Sequence, residues 1–176
     1  MGKDAGNTTF ALAGYGRFGR HHANVLSNHP SAQLEAIAEP NQFAAEQARK
    51  AYPEAVIFDN PFRMLAEMEV DAVSIVSTEE THADIVRKAL ENKTHVFCEK
   101  PLSTRLDEAR ELVELAHQQN IQLRLGYILR YEPRHRVLQE QVQSGRLGKL
   151  AVIRTKRDAS RSVSYTHLTL PTILLV

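Results

Sequence analysis

The stretch Thr8–Arg20, TTFALAGYGRFGR, organises the chain. A short apolar run leads into a glycine turn, and the turn leads into a segment with helical character. Gly14, Gly16 and Gly19 have the G-x-G-x-x-G spacing. Each glycine has its own physical reason. The first permits a tight turn, the second lets the backbone approach a pyrophosphate, and the third lets helix and strand pack closely. The helix that follows presents unpaired N–H groups and the positive end of its dipole. Gly14, Tyr15, Gly16, Arg17, Phe18 and Gly19 are therefore candidate dinucleotide-binding residues. The competing reading is a glycine-rich turn in an ordinary α/β protein.

Outward from this stretch, apolar runs and helical segments alternate. Strands are predicted at Phe10–Ala13 (with a start as early as Thr8), Leu34–Ala38, Val56–Phe58, Val70–Val76, Lys93–Glu99 and Ile121–Gly126. Helices are predicted at Arg17–Ser27, Gln42–Tyr52, Pro61–Glu67, Glu80–Glu91 and Arg105–Asn120. Asn60-Pro61 reads as an N-cap followed by proline at the first helical position. Thr104 and Asp107 have the spacing of a capping box. Leu106, Ala109, Leu112, Val113 and Ala116 suggest the inward face of the last helix. The run VDAVSIV is nearly continuous in apolar character, as a parallel strand buried on both faces should be. This rhythm predicts an α/β fold, a doubly wound parallel sheet.

Ligands of such sheets sit beyond the carboxyl ends of the strands. Four stretches should converge there: the glycine loop, Glu39, Ser77 to His82, and Glu99 to Pro101. Glu39 lies 20 residues after Gly19, where an acidic residue would accept the ribose hydroxyls of an adenosine. The alternative is a solvated strand end. Pro40, Asn41 and Gln42 include no Arg for a 2′-phosphate, which favours NAD over NADP. Ser77 and Thr78 offer hydroxyl and backbone groups near the middle of the cofactor. His82 reads as a packing, hydrogen-bonding or cofactor-contacting residue rather than a base. Lys100 follows an apolar strand directly, between Glu99 and Pro101. There an amine can exchange the proton of a hydroxyl/ketone pair or stabilise a developing alkoxide. A surface lysine before a turn proline is the equal alternative.

The chain has 176 residues, a 43% hydrophobic fraction and a net charge of +1. Nothing in this balance points to nucleic acid. The single cysteine, Cys98, leaves no intrachain disulfide and no cysteine-based metal site, and fits a reducing compartment. No window approaches the roughly 18 apolar residues of a membrane span, and MGKDAGNTTF lacks the apolar core of a signal peptide. The expectation is a cytoplasmic protein without a metal, nucleic-acid or membrane partner.

After Gly126 the composition changes. YILRYEP (Tyr127–Pro133) is aromatic and charged, a helix is predicted at Pro133–Ser144 with Gly145 as its cap, and Gly148–Thr155 reads as a strand. One helix and one strand cannot bury a core, so this is the start of a second, α+β domain. The domains expected are an extension at 1–7, a dinucleotide-binding domain at 8–127, the beginning of a second domain at 128–161, and a tail at 162–176. The tail, SVSYTHLTLPTILLV, has no charged residue and resembles translated sequencing adapter. Native sequence is expected to end near Ala159–Arg161, a genuine strand pair being the alternative.

Four stretches carry a resemblance to the Gfo/Idh/MocA oxidoreductases: AGYGRFGRHH (Ala13–His22), AIAEP (Ala36–Pro40), THADIVRKALENKTHVFCEKPLS (Thr81–Ser103) and GYILRYEP (Gly126–Pro133). The ordered EKP motif is the most specific of them. The resemblance implies a Rossmann domain binding NAD or NADP, with Glu39 on the ribose. It implies that Lys100 is the active-site lysine, close to substrate and nicotinamide. Sugars, inositols and related polyols are the implied substrates, oxidised at a secondary hydroxyl, and homo-oligomers are implied for full-length proteins. It also implies a C-terminal half supplying an Asp and a His, for which no counterpart stands here. Glu79 replaces the proline usual after strand four. The 176 residues alone are expected to bind cofactor with little or no turnover. A non-catalytic dinucleotide-binding regulator and an NAD-dependent glycosidase are the alternatives.

Overall fold

The computed structural model describes residues 7–154. Residues 1–6 and 155–176 lie outside the described residues, and with them all but the last residue of the expected extension, the tail and the expected chain end at Ala159–Arg161.

Six strands form one parallel sheet: β1 (Thr8–Ala13), β2 (Ala32–Ala38), β3 (Val56–Phe58), β4 (Ala72–Ile75), β5 (His95–Cys98) and β6 (Leu123–Leu125). Their spatial order is β3-β2-β1-β4-β5-β6. The order reverses between β1 and β4, which places the ligand crevice of a doubly wound sheet at the ends of those two strands. Backbone hydrogen bonds continue past the strand ends, from Gly14 N–H to Ala38 O (2.8 Å), Val76 N–H to Ala13 O (2.8 Å) and Glu99 N–H to Ile75 O (2.9 Å). The loops bearing the candidate residues therefore leave the sheet from held positions.

Helices α1 (Arg17–Asn28), α2 (Gln42–Ala51), α3 (Pro61–Glu67), α4 (His82–Glu91) and α5 (Leu106–Gln118) connect the strands. Alternation along β1 divides its side chains between two cores. Ala11 and Ala13 join Val73, Ile75, Val96 and Cys98 beneath α3, α4 and α5. Leu12 faces the other way and packs with Ile37, Ala23 and Ala48 of α1 and α2. The Asn60 side chain caps α3, accepting from Phe62 N–H (2.8 Å) and Arg63 N–H (3.3 Å), with Pro61 at the first turn as the sequence predicts.

Several expectations change in detail. β4 and β5 are shorter than their apolar runs. A 3-10 turn at Glu79–Thr81 precedes α4, so the α-helix begins at His82. The Thr104–Asp107 capping box does not form. Arg105 occupies the cap position, leaving Thr104 one residue outside the helix. Ser103 Oγ instead accepts from Arg105 N–H (2.9 Å) and donates to Glu108, while Asp107 pairs with Arg105 at 2.6 Å. On α5, Leu112 and Ala116 are buried and Ala109 is partly so, but Leu106 and Val113 are exposed. The helix turns Leu115 toward the sheet in place of Val113.

The first compact unit ends at Tyr127 and a second begins at Ile128. Within the second, a 3-10 turn (Ile128–Tyr131) precedes α6 (Pro133–Gln143). Glu132 caps α6, accepting from His135 N–H at 3.0 Å. Gly145 takes the left-handed conformation (φ +72°) just beyond the helix. No residue of α6 is buried. The strand expected from Gly148 is absent through Arg154. A strand needs a neighbour for its N–H and C=O groups, and the described residues offer none to this segment.

Candidate functional site

The glycine loop performs three separate tasks. Gly14 has φ +100°, and a Cβ there would lie 2.6 Å from the Val76 carbonyl oxygen, so only glycine lets β1 turn against β4. A Cβ on Gly19 would lie 2.1 Å from the Gly14 carbonyl oxygen, so α1 sits directly on the turn. A Cβ on Gly16 would meet nothing within 4 Å. The space over Gly16 is open, as the close approach of a ligand backbone requires. Gly16 is also the N-cap of α1, with no side-chain cap and no acidic residue in the first turn. The first N–H groups of Arg17, Phe18 and Gly19 thus keep their capacity for an anion.

Glu39 is 8% exposed and faces the same loop. Its Oε2 accepts from Tyr15 N–H at 2.7 Å and its Oε1 from Asn41 N–H at 2.8 Å. Each carboxylate oxygen keeps a second lone pair for a hydroxyl donor. Glu39 therefore shapes the glycine loop as well as offering an acceptor. The Tyr15 ring packs edge-on against Tyr52 (centroids 6.1 Å apart) beneath the Arg20 guanidinium. Burial, with Tyr52 adding, raises its phenol pKa. Tyr15 thus serves the loop through its backbone. Arg17 and Phe18 remain exposed in the first turn of α1. Beside Glu39 a cleft of about 610 Å³ opens among Pro40, Gln42, Phe58, Asp59 and Arg63. The Arg63 guanidinium is engaged by Glu67 at 2.7 Å and Asp59 at 4.0 Å.

Ser77 and Thr78 leave β4 beside the loop. Ser77 Oγ accepts from Thr81 Oγ at 2.8 Å. His82 is 2% exposed, so it is held inside the fold. Its Nδ1 lies 2.6 Å from the Pro101 carbonyl oxygen and its Nε2 3.2 Å from the Ser77 carbonyl oxygen. A neutral ring has one N–H to give, and we assign it to the shorter contact. His82 thereby ties the start of α4 to the segment after β5, with its other nitrogen 3.2 Å from the Ser77 carbonyl oxygen. The Lys100–Pro101 peptide is cis.

Lys100 is exposed at the end of β5, between a buried Glu99 and a half-buried Pro101. The Glu99 carboxylate turns inward. Its Oε1 lies 3.5 Å from His22 Nε2, and its Oε2 lies 3.4 Å from the Lys100 backbone N–H. A Cβ on Gly126 would come within 2.4 Å of that Oε1, so the carboxylate fills the space a side chain would need. His22, Ser74 and Gly126 are the neighbours that sequence reasoning missed. Ser74 had a signal, as the polar residue inside VDAVSIV. His22 had one in its spacing from Gly19, Ala23 and Leu26 along a single helix face.

Residues 8–127 match the Gfo/Idh/MocA oxidoreductase family, whose fold is an NAD-binding Rossmann domain. The chain belongs to this family. Among Gfo/Idh/MocA relatives, it is 31% identical over 140 residues to the scyllo-inositol 2-dehydrogenase (NAD(+)) of Bacillus subtilis, covering 79% of this chain and 41% of that protein. It is 33% identical over 157 residues to the inositol 2-dehydrogenase of Rubrobacter xylanophilus, covering 88% and 45%. The scyllo-inositol dehydrogenase of Lactobacillus casei, solved with bound NAD(H) and scyllo-inositol, superposes with a TM-score of 0.77 at 25% identity. That match covers 82% of this chain and 43% of the other. The chain thus spans under half the length of the curated Gfo/Idh/MocA relatives it matches. Among the described residues, no helix is long and apolar enough to cross a membrane, and no group of three or more acidic, His or Cys side chains could hold a metal.

Proposed function

We propose that this chain is the dinucleotide-binding part of an NAD-dependent dehydrogenase acting on a secondary hydroxyl of an inositol, sugar or related polyol. The observation that carries the reading is the placement of Lys100. It stands at the carboxyl end of β5, next to the switch-point strand β4, in the same rim of strand ends as the glycine loop. The names of the family relatives, inositol dehydrogenases among them, support the substrate class.

The residues fit the dinucleotide. The open space over Gly16 and the uncapped first turn of α1 would take the pyrophosphate, and Glu39 the adenosine ribose. The cleft beside Glu39 would take the adenine end. Its arginines are engaged, Arg49 by Glu46 at 2.8 Å and Arg63 by Glu67 and Asp59, which favours a free 2′-hydroxyl over a 2′-phosphate. When bound, the nicotinamide supplies a hydride acceptor for the alcohol or a hydride donor for the ketone.

Lys100 then handles the proton. As the free amine it takes the hydroxyl proton during oxidation, and as the ammonium it returns a proton to the carbonyl oxygen during reduction. The ammonium also stabilises alkoxide character on that oxygen. Ser77, Thr78 and His82 shape the wall between the loop and Lys100. The 176 residues alone should bind dinucleotide with little turnover.

The test pairs two measurements. Titration of the chain with NADH, followed by fluorescence, should saturate, with NADPH binding more weakly. In the full-length parent, Lys100→Met should lower kcat for polyol oxidation by 10²-fold or more, about the scale of a general acid–base group. Unaltered polyol turnover in that variant would remove Lys100 from the chemistry. NADH binding without any polyol oxidation by the parent would favour a non-catalytic, regulatory role.

A further inference from the structure

Helix α1 carries more than the glycine loop. Its inner face places His22 near the middle of the sheet. The His22 ring lies 5.5 Å from the Phe97 ring and 5.7 Å from the Phe18 ring, centroid to centroid. Its Nδ1 is 2.9 Å from Ser74 Oγ on β4, and its Nε2 faces Glu99 Oε1 at the end of β5 at 3.5 Å. One imidazole from α1 thus connects the two strands whose ends hold Ser77 and Lys100.

The neighbours decide where the ring proton sits. An ionised carboxylate offers only lone pairs, so the nitrogen facing Glu99 must carry hydrogen. A neutral ring then has a bare Nδ1, which a hydroxyl can fill by donating. Ser74 stands there and is buried. The opposite tautomer would set a lone pair against the carboxylate. The titratable groups facing this ring are Glu99 from β5 and His21 from its own helix; Phe18 and Phe97 supply the apolar walls. Burial holds the imidazole pKa below its ordinary value, against the opposing pull of Glu99.

Glu99 is confined on its other side. The bare Cα of Gly126 leaves room only for the carboxylate, and the carboxylate reaches the N–H of Lys100. We propose that His22, held by Ser74 as the Nε2–H tautomer, is a positioning residue that fixes the Glu99 carboxylate and through it the backbone from which Lys100 projects. Its meaning for catalysis rests on the reading of Lys100 as the proton-transferring amine.

Two measurements on the chain test this without needing turnover. With ¹⁵N-labelled histidine, long-range ¹H–¹⁵N correlation at neutral pH should show His22 protonated at Nε2 and bare at Nδ1. A His22 protonated at Nδ1, or averaging between tautomers, would overturn the proposal. Acylation of lysines by an amine-directed reagent, resolved by peptide mass spectrometry, gives the second readout. His22→Leu should change the Lys100 rate at least about threefold, the exposed Lys50 serving as the internal control. His22→Gln keeps an amide donor for Glu99 and should return the rate toward that of the parent chain. Equal Lys100 rates in all three proteins would overturn the proposal, and the tautomer readout decides alone if the leucine variant fails to fold. A parent that oxidises no polyol while both patterns hold would remove the dehydrogenase reading and leave the His22 linkage standing.

Discussion

His82 Nδ1 lies 2.6 Å from the carbonyl oxygen of Pro101, so the first residue of α4 holds the residue that follows Lys100. The ring is buried and lies between the backbone segments that continue from β4 and β5 past their last paired residues. His82→Ala should cost about 2–3 kcal/mol in urea denaturation, through a buried cavity and an orphaned carbonyl. His82→Asn, whose amide can still donate toward Pro101, should recover part of that loss. An alanine variant as stable as the parent would show the contact to be idle.

The glycine loop separates folding from binding. Gly16→Ala meets no atom within 4 Å and should leave apo stability within about 0.5 kcal/mol, yet weaken NADH binding at least about tenfold by placing a methyl where the proposed site would take the pyrophosphate. Gly19→Ala would drive a Cβ into the Gly14 carbonyl and should cost about 2–3 kcal/mol before any ligand is added. Thermal unfolding and fluorescence titration of both variants check the split.

Glu39 holds the loop and, in the proposed site, would face the adenosine ribose, and one variant can expose both. Glu39→Ala leaves the N–H groups of Tyr15 and Asn41 without their acceptor, at a cost of about 1–3 kcal/mol. It also removes the negative charge that would repel a 2′-phosphate. The ratio of NADPH to NADH affinity should rise about tenfold, measured by parallel titrations; an unchanged ratio would mean that the carboxylate does not face the ribose.

Cys98 should be chemically silent while the chain is folded. Burial, with the Glu99 carboxylate adding, pushes its thiol up to about 12. The folded state therefore keeps a proton that the unfolded chain releases near pH 9. This contribution to stability is complete below that value and is lost as pH rises toward 12. At pH 8.5, iodoacetamide should alkylate the native chain on the order of 10²-fold more slowly than the urea-unfolded chain.

His22 gives the opposite pH slope. Its pKa is held below the ordinary 6.5, first by burial, so the unfolded chain binds the additional proton. The associated stability is present above about pH 6.5 and is lost as pH falls through the folded value. Denaturation midpoints measured from pH 7.5 to pH 5 should fall more steeply for the parent than for His22→Gln. Parallel curves would show that the ring is not desolvated.

The sheet and its helices were legible because a parallel strand buried on both faces has little choice of side chain. VDAVSIV could hardly be anything else, and Asn60-Pro61 started α3 by local geometry alone. Thr104 had the right spacing for a cap, but Ser103 Oγ takes the Arg105 N–H and α5 starts one residue later. Gly148–Arg154 has strand composition without a strand, since composition cannot supply a neighbour. At the candidate site, the glycines, Glu39, His82 and Lys100 were visible because they lie at strand ends or in turns. The Ser74–His22–Glu99 chain was not, because its members are separated by tens of residues and meet only after the sheet forms.

The fit of Glu99 over Gly126 reaches into the history of the family. The carboxylate occupies the volume that any larger residue at 126 would claim, so neither position is free to drift alone. Exchange at one site should be accompanied by shortening at the other, and related sequences should show the two varying as a pair. Where a lineage has replaced the glycine, the acidic residue before the lysine should have gone with it, or the lysine should sit on a differently built turn.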